Sequence, residues 1–234
     1  MKILAIESSA AACSAALCLD ERIVAQSFQN CGLTHSRTLM PMVEAVLSTV
    51  EDGVNGVDVI AVACGPGSFT GLRIGVAAAK GLAWAADKLC APCSTLASMA
   101  WQAAPMDGII VPIMDARRDQ VYNAVFRAGG GRLERLSPDR AISMEELKQE
   151  LKKYSDRKIL VGDGAQLCYN NLQQQVTDLH MAPEHLRWQS AWGVAREALE
   201  LAAAGRLIDA AVLRPAYHRL SQAERERLSR KTKE

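Results

Sequence analysis

The sequence predicts an α/β fold with two similar lobes, and three observations lead to this prediction. Short β-compatible runs alternate with segments whose apolar residues recur at helical spacing. A long apolar run leads directly into a glycine-rich segment and a further helix. A strand that ends in a carboxylate and leads into a second strand occurs once in each half of the chain. With 234 residues, 49% of them hydrophobic, the chain can bury a substantial core.

The first 30 residues predict an antiparallel meander. Residues 2–7, 13–19 and 22–28 are short β-compatible runs, and Asp20 and Glu21 form the turn between the last two. A helix is predicted from about residue 36, because its apolar residues fall on one face.

The next elements are a buried strand over residues 57–63 and a helix over residues 70–86. Small residues recur at every fourth position of this helix and so form a ridge along one side. Such a ridge lets another helix approach closely, either within the same chain or from another subunit, and the sequence leaves both alternatives open. The ridge consists of Gly71, Gly75, Ala79 and Ala83.

The internal repeat places the boundary between the lobes near residues 104–108. In the first half the repeated strand ends at Glu7, and in the second half it ends at Asp115. Later elements include a helix that starts at the capping box of Ser143 and a helix that ends at Gly205. The predicted division is an N-terminal lobe over 1–105, a C-terminal lobe over 106–220, and a charged tail over 221–234 that is expected to fray.

Composition and charge exclude several classes of protein. With 27 basic and 26 acidic residues the formal net charge is +1, which does not fit a protein that binds nucleic acid by its own charge. The opening has no signal-peptide pattern, and no apolar run approaches the ~20 residues of a membrane span. We therefore expect a cytosolic protein without a membrane segment. The seven cysteines are interpreted as buried thiols.

The glycine-rich segment is the clearest local candidate for a binding site. Gly65, Gly67 and the first ridge glycine lie between a buried strand and a helix N-terminus, where free backbone N–H groups favour an anion. Ser68 and Thr70 add hydroxyl groups. The glycine spacing matches neither a dinucleotide fingerprint nor a P-loop, so a phosphate site and a purely structural turn both stay open.

The two strand-end carboxylates are the other candidates. Glu7 and Asp115 could face each other across a cleft and hold a hydrated magnesium ion. The turn after the first strand, Ser8 and Ser9, contains no glycine, which argues against tight triphosphate binding there. We assign no catalytic residue and no metal-ligand set.

The sequence lacks the residue patterns of dithiol redox proteins, metallohydrolases and serine hydrolases. Cys90 and Cys93 precede a helix as a redox pair would, but the surrounding thioredoxin-like pattern is missing. None of the spacings between histidines fits a metallohydrolase, and the Gly-Pro-Gly-Ser-Phe sequence is not a nucleophile elbow. The four histidines are His35, His180, His185 and His218.

One family combines these features. Residues 65–75 read GPGSFTGLRIG, and with the opening ILAIESS they resemble the TsaB (YeaZ) family closely. Further matches lie at residues 35–36, 94–96, 115–117 and 215–217, so that the resemblance spans about residues 1 to 220. It implies an actin-like, Hsp70-like ATPase (ribonuclease H-like) fold, in which each of two similar lobes has a mixed sheet and flanking helices.

The resemblance also implies a role in making the tRNA base threonylcarbamoyladenosine. In that family a larger paralogue, TsaD, transfers the threonylcarbamoyl group, a small ATPase, TsaE, joins the assembly, and TsaB-like proteins bind and support TsaD. The expected function is therefore a non-catalytic partner subunit that reaches tRNA only through the complex. The resemblance implies that the chain has no cofactor of its own, and it places any ATP or ADP with magnesium at an interface shared with the partner complex.

Two differences fit this role, one from the paralogue and one from the family pattern. The metal-binding H-x-x-x-H of the paralogue has no counterpart in residues 94–99, which read STLASM. Family members usually carry Asp where this chain has Glu7, and the longer side chain displaces the carboxylate.

The family uses the two N-lobe helices for self-association and for docking TsaD. Carried onto this chain, the resemblance predicts that Gly75→Leu abolishes pairing and leaves the fold largely intact. The predicted interface residues are Leu39, Met42, Val43, Val46, Gly71, Arg73, Gly75, Ala79 and Ala83.

Two alternatives from other classes stay open. One is a stand-alone hydrolase, either a weak ATPase or a glycoprotease-like peptidase, which requires turnover by the purified chain. The other is an RNA-binding module, which requires salt-dependent tRNA affinity carried by the basic residues near the C-terminus.

Overall fold

A computed structural model describes residues 1–117 and 119–217. The first sheet has the strand order β3-β2-β1-β4-β5. Its first three strands form the antiparallel meander that the sequence predicts, and the last two add in parallel. Its strands are β1 (Lys2–Glu7), β2 (Cys13–Leu19), β3 (Arg22–Gln29), β4 (Val59–Gly65) and β5 (Leu89–Ser94).

Two helices, α1 (His35–Leu47) and α2 (Phe69–Ala85), cover one face of this sheet. Both start within a residue of their predicted positions. Their buried side chains form one apolar cluster with the inward residues of β1, β2 and β4, since alternate strand residues point to the same face. This cluster is the core of the first lobe, and the burial of its apolar surface stabilises the packing.

The second sheet repeats the order of the first. It runs β10-β7-β6-β11-β12, with β8 paired to β6 and to β9. The counterpart of β2 is therefore split into β7 and β8, and the counterpart of β3 into β9 and β10. The sequence predicts one strand over residues 120–126 after the repeated strand. In the structure this strand is broken after Asn123, whose side-chain amide donates to the carbonyl oxygens of Pro112 and Ala124. The predicted duplication is confirmed. The strands are β6 (Gly108–Asp115), β7 (Gln120–Asn123), β8 (Phe126–Gly129), β9 (Arg132–Arg135), β10 (Arg140–Ser143), β11 (Lys158–Val161) and β12 (Leu179–Met181).

Five further α-helices lie within the described residues: α3 (Thr95–Ala103), α4 (Met144–Leu151), α5 (Ala165–Leu172), α6 (Glu184–Arg187) and α7 (Ala191–Ala203). The capping box at the start of α4 is formed as predicted, with Ser143 and Glu146 bonded reciprocally. Gly205 follows α7 with a left-handed backbone, as expected at a helix end.

The last helix corrects the predicted lobe boundary. Although α7 follows the second sheet in the chain, it packs on the back of the first sheet, where its small residues fit against β1, β2, β4 and β5. Residues 206–217 then continue along the first lobe, starting with a bridge between Cys90 and Ile208. The predicted C-terminal lobe of 106–220 is therefore too long. Residues 221–234, the predicted tail, lie outside the described residues.

The cysteines differ from the prediction in two ways. Cys31 is exposed, whereas the other six are buried. Cys90 and Cys93 lie in β5, a strand that the sequence did not predict, and they face opposite sides of the sheet. A dithiol pair is excluded because residues three positions apart on a strand point to opposite faces of the sheet. Within residues 1–117 and 119–217, no helix is long and apolar enough to span a membrane.

Candidate functional site

The repeated strands end in two carboxylates with the same local geometry. Glu7 ends β1, and its Oε1 accepts a hydrogen bond from the Ser9 backbone N–H at 2.6 Å. Asp115 ends β6, and its Oδ1 accepts from the Arg117 N–H at 2.7 Å. Each carboxylate thus closes the turn that follows its own strand, and the duplication extends to the level of single hydrogen bonds.

The environments of the two carboxylates differ. Glu7 is 0% exposed, and burial raises its pKa from the ordinary 4.5 to about 7, although hydrogen bonds from Ser9 oppose the rise. Its second oxygen, Oε2, has no hydrogen-bond partner among the described residues. A buried carboxylate oxygen without a partner is costly when charged, which favours the protonated acid near neutral pH. Asp115 is exposed.

A third carboxylate, Asp163, was not identified from the sequence. It follows β11, accepts a hydrogen bond from the Gln189 side-chain amide at 2.6 Å, and adds to the rise in the pKa of Glu7. Burial and the nearby charge of Asp115 raise the pKa of Asp163 itself. Its signal in the sequence is the Gly-Asp-Gly triplet of residues 162–164, which follows β11, the counterpart of β4, just as the glycine-rich segment follows β4.

The glycine-rich segment packs against the turn after β1. A Cβ at Gly67 would lie 2.5 Å from the Ser9 carbonyl oxygen, and one at Gly71 would overlap the carbonyl oxygen of Ser8. Two hydrogen bonds join the same parts: Ser68 N–H donates to the Ser9 carbonyl at 2.6 Å, and the Ser8 hydroxyl donates to the Gly71 carbonyl at 2.9 Å. The sequence left a phosphate site and a structural turn open, and these contacts support the structural turn with close backbone packing.

The other side of the segment is covered by the end of the described chain. Gly65 has a φ of +136°, and a Cβ there would overlap the carbonyl oxygen of Ala216, whose N–H donates to the Cys64 carbonyl at 2.7 Å. The close approach that these glycines permit is thus used by the chain itself. In this arrangement the segment does not fit a phosphate at the predicted glycines, and nucleotide with magnesium at a shared interface stays a prediction.

The two predicted hydroxyl residues lie at the start of α2. Ser68 is the N-cap, and its Oγ accepts from the Gly71 N–H at 3.3 Å, while Thr70 is exposed in the first turn of the helix. The cap satisfies one of the free N–H groups at the helix start, which is a sufficient structural reason for a serine there.

The predicted interface residues lie mostly inside the first lobe, which corrects the choice of residues. A Cβ at Gly75 would overlap the Ser8 hydroxyl, and the rest of the ridge is buried against the sheet. Gly75→Leu would therefore disturb the fold and is not a clean test of docking. The predicted residues of α1 are 0 to 6% exposed, so that in this conformation they offer almost no surface to a partner. The buried set is Leu39, Met42, Val43, Val46, Gly71, Gly75, Ala79 and Ala83.

A second row of residues faces outward on α2. Arg73, Ala77, Gly81 and Trp84 are all exposed, and Trp84 is 70% exposed. A Cβ at Gly81 would meet nothing within 4 Å, so packing within the chain does not require a glycine there. A glycine inside a helix costs about 0.5–1 kcal/mol relative to alanine. We call this row, with the exposed residues Arg37, Met40, Pro41 and Glu44 of α1, the outer face.

Histidines and metal ligands form no site in the part of the chain that the structure describes. No group of three or more His, Cys, Asp or Glu residues there could hold a metal ion. His35 Nε2 lies 2.7 Å from the Ala10 carbonyl oxygen, which links α1 to the turn after β1. His218 lies outside the described residues.

Comparisons with known proteins give a consistent result at the level of sequence. The family model described as "TsaD: tRNA N6-adenosine threonylcarbamoyltransferase" matches residues 29–226. The TsaB protein of Bacillus subtilis is 37% identical over 160 residues, which cover 68% of this chain and 69% of that protein. The TsaB protein of Escherichia coli is 34% identical over 169 residues, or 71% and 73% of the two chains. Both relatives are described as tRNA threonylcarbamoyladenosine biosynthesis proteins.

Solved structures agree on the fold. A protein with similarity to peptidase YEAZ from Pseudomonas aeruginosa is 25% identical, with a TM-score of 0.80 over 93% of this chain and 99% of that one. YeaZ from the same organism is 24% identical, with a TM-score of 0.75 over 92% and 99% of the two chains. The ethanolamine utilization protein EutJ from Carboxydothermus hydrogenoformans has a TM-score of 0.50 at 12% identity over 84% and 90% of the two chains.

Proposed function

We propose a function for this chain from one premise: it belongs to the TsaB (YeaZ) family of tRNA threonylcarbamoyladenosine biosynthesis proteins. It has the actin-like ATPase fold, with two mixed sheets and flanking helices. The resemblance stated from the sequence is thereby confirmed for both family and fold.

Within that pathway, we propose that the chain is a non-catalytic partner subunit that binds the transferase TsaD and acts together with TsaE. The observation that carries this proposal is the packing of Ser8 and Ser9 against Gly67 and Gly71. In this packing the chain's own backbone occupies the space that a phosphate would need at the glycine-rich segment, and Glu7 is fully buried.

The outer face supports docking of a partner helix. Ala77 and Gly81 present little side-chain bulk, so a facing helix can approach closely, and Trp84 offers a large apolar anchor beside them. We propose that TsaD and a second copy of this chain compete for this face, so that the homodimer and the heterodimer exclude each other.

The remaining partners follow from the same proposal. ATP or ADP with magnesium is proposed to bind only where the partner complex contributes residues, and tRNA is proposed to contact the chain only through the complex. A cytoplasmic location stays a prediction from the sequence.

The test is reconstitution of tRNA threonylcarbamoylation from purified components. With TsaD, TsaE, substrates and tRNA, we expect the rate to fall at least 10-fold when this chain is omitted, and we expect no modification by this chain alone. Modification or ATP hydrolysis by the isolated chain that is abolished by Asp115→Asn would contradict the proposal and favour the hydrolase alternative.

A further inference from the structure

The guanidinium of Arg73 is held by two aromatic side chains at the start of the outer face. Its Cζ lies 4.0 Å from the ring centre of Phe69, and its Nε–H donates to the Tyr217 hydroxyl at 3.0 Å. The two rings stack on each other with centres 4.3 Å apart and an interplanar angle of 20°. These three contacts fix the plane of the guanidinium, although the side chain is exposed to solvent.

Tyr217 is brought to this place by residues 206–217, which run along α2. Lys80 Nζ donates to the Ala211 carbonyl at 2.8 Å, Leu213 is buried in the core of the first lobe, and the Ala216 N–H donates to β4. The segment is thus anchored at several points before it reaches Arg73. Tyr217, at the end of this segment, therefore holds the Arg73 side chain in place.

The two terminal nitrogens of Arg73 are not held by other side chains of the described residues. No hydrogen bond or ion pair of the described residues involves Nη1 or Nη2. A guanidinium whose Nε is bonded and whose plane is stacked presents these nitrogens as a fork that matches two oxygens of a carboxylate. Because the side chain is already held, less conformational entropy is lost on binding than for a free surface arginine.

We propose that Arg73 is a preformed binding site for a carboxylate of the protein that docks on the outer face, with Phe69 and Tyr217 as its positioning residues. The proposal rests on the proposed function. A protein carboxylate is favoured over an RNA phosphate because Arg73 continues the row of Ala77, Gly81 and Trp84. The net charge of +1 also provides no broad basic surface for RNA.

The experiment is calorimetric titration of the purified full chain with purified TsaD at two salt concentrations. Arg73→Ala and Arg73→Lys are both expected to weaken binding at least 10-fold, because lysine keeps the charge but lacks the planar fork. Tyr217→Phe, which keeps the stacked ring and removes the hydroxyl, is expected to weaken binding about 3-fold. Arg132→Ala, an exposed arginine of β9 in the other lobe, is the matched control and is expected to stay within 2-fold.

A double variant separates positioning from general stability. If Tyr217 acts through Arg73, Tyr217→Phe has no further effect on binding in the Arg73→Ala background, whereas a merely structural role would persist there. Thermal unfolding of each variant checks that the fold is kept.

Each other outcome has a distinct meaning. Normal binding of TsaD by Arg73→Ala and Arg73→Lys overturns this inference and leaves the docking proposal standing. No binding by the unmodified chain overturns both. If the Arg73 variants bind TsaD normally but the complex loses tRNA affinity, the ligand is a phosphate and the carboxylate assignment is wrong.

Discussion

The two turns that follow β1 and β6 share the same hydrogen-bond geometry but lie in different environments. In each turn the strand-end carboxylate accepts the N–H of the residue two positions later. At the first turn, Glu7 is sealed under Ser8, Ser9 and the glycine-rich segment, while at the second turn Asp115 reaches solvent. In a duplicated scaffold, the same turn can thus be buried by packing in one lobe and stay accessible to solvent in the other.

The largest effect is expected from a substitution that disrupts the packing of the first turn against α2. Gly71→Val places a Cβ against the Ser8 backbone and is expected to lower the free energy of unfolding by roughly 3 kcal/mol or more, because backbone cannot move aside cheaply. Gly81→Ala on the same helix is the matched control and is expected to raise stability by about 0.5–1 kcal/mol, since the added Cβ meets nothing. Urea unfolding of both variants measures the difference, and equal effects would contradict the account.

The second prediction concerns the proton on Glu7. The folded chain binds this proton with a pKa of about 7, against an ordinary 4.5, so this group's contribution to stability is full below about pH 4.5 and is lost as the pH rises to 7. Glu7→Gln mimics the protonated acid and is expected to raise the free energy of unfolding by on the order of 2–3 kcal/mol at pH 8.

The pH dependence supplies the control for that prediction. At pH 4.5 Glu7→Gln is expected to change stability little. Asp115→Asn, the equivalent change at the open turn, is expected to stay within about 0.5 kcal/mol at both pH values because the side chain is exposed. A Glu7→Gln effect that does not vary with pH would show that Glu7 is charged in the folded chain.

A smaller effect tests the hydrogen bond that closes the first turn. Ser8→Ala removes the hydroxyl that donates to the Gly71 carbonyl in a buried site and is expected to cost about 1 kcal/mol. Thermal unfolding at neutral pH measures this loss. A neutral result would mean that the glycine contacts alone hold the turn against α2.

The smallest effect concerns the electrostatic interaction between Glu7 in the first lobe and Asp163 in the second lobe. Asp163 contributes to the raised pKa of Glu7, so Asp163→Asn is expected to lower that pKa by less than about one unit. Carbon-13 NMR titration of the Glu7 carboxyl group follows the change. An upward shift would contradict the proximity of the two carboxylates.

The sequence was sufficient for the elements whose periodicity is strong. The meander, the helix α2 and the repeated strand ends are where the pattern of apolar and polar residues predicts them. The strand β5 was missed because Pro92 and two cysteines obscure its alternation, and the split of β7 from β8 depends on side-chain bonds of Asn123 that no local pattern reveals.

The candidate site was predicted less well, because its geometry depends on tertiary contacts. Periodicity shows that Gly71, Gly75, Ala79 and Ala83 share one side of α2, but it cannot show whether that side faces the chain's own sheet or a partner. The outer row with Gly81 has the same spacing and faces solvent. Similarly, the burial of Glu7 depends on contacts with residues about 60 positions later in the chain.

The central claim is that the chain acts through its outer face and not through its cleft. The most direct measurement is the rate of tRNA threonylcarbamoylation by TsaD and TsaE in the presence of two variants of this chain. Gly81→Leu adds bulk to the outer face at a position where an added Cβ meets nothing within 4 Å, and we predict at least a 10-fold loss of stimulation. Glu7→Gln alters the cleft, and we predict a rate within 3-fold of the unmodified chain. The reverse result, in which Gly81→Leu is active and Glu7→Gln is not, would contradict the account.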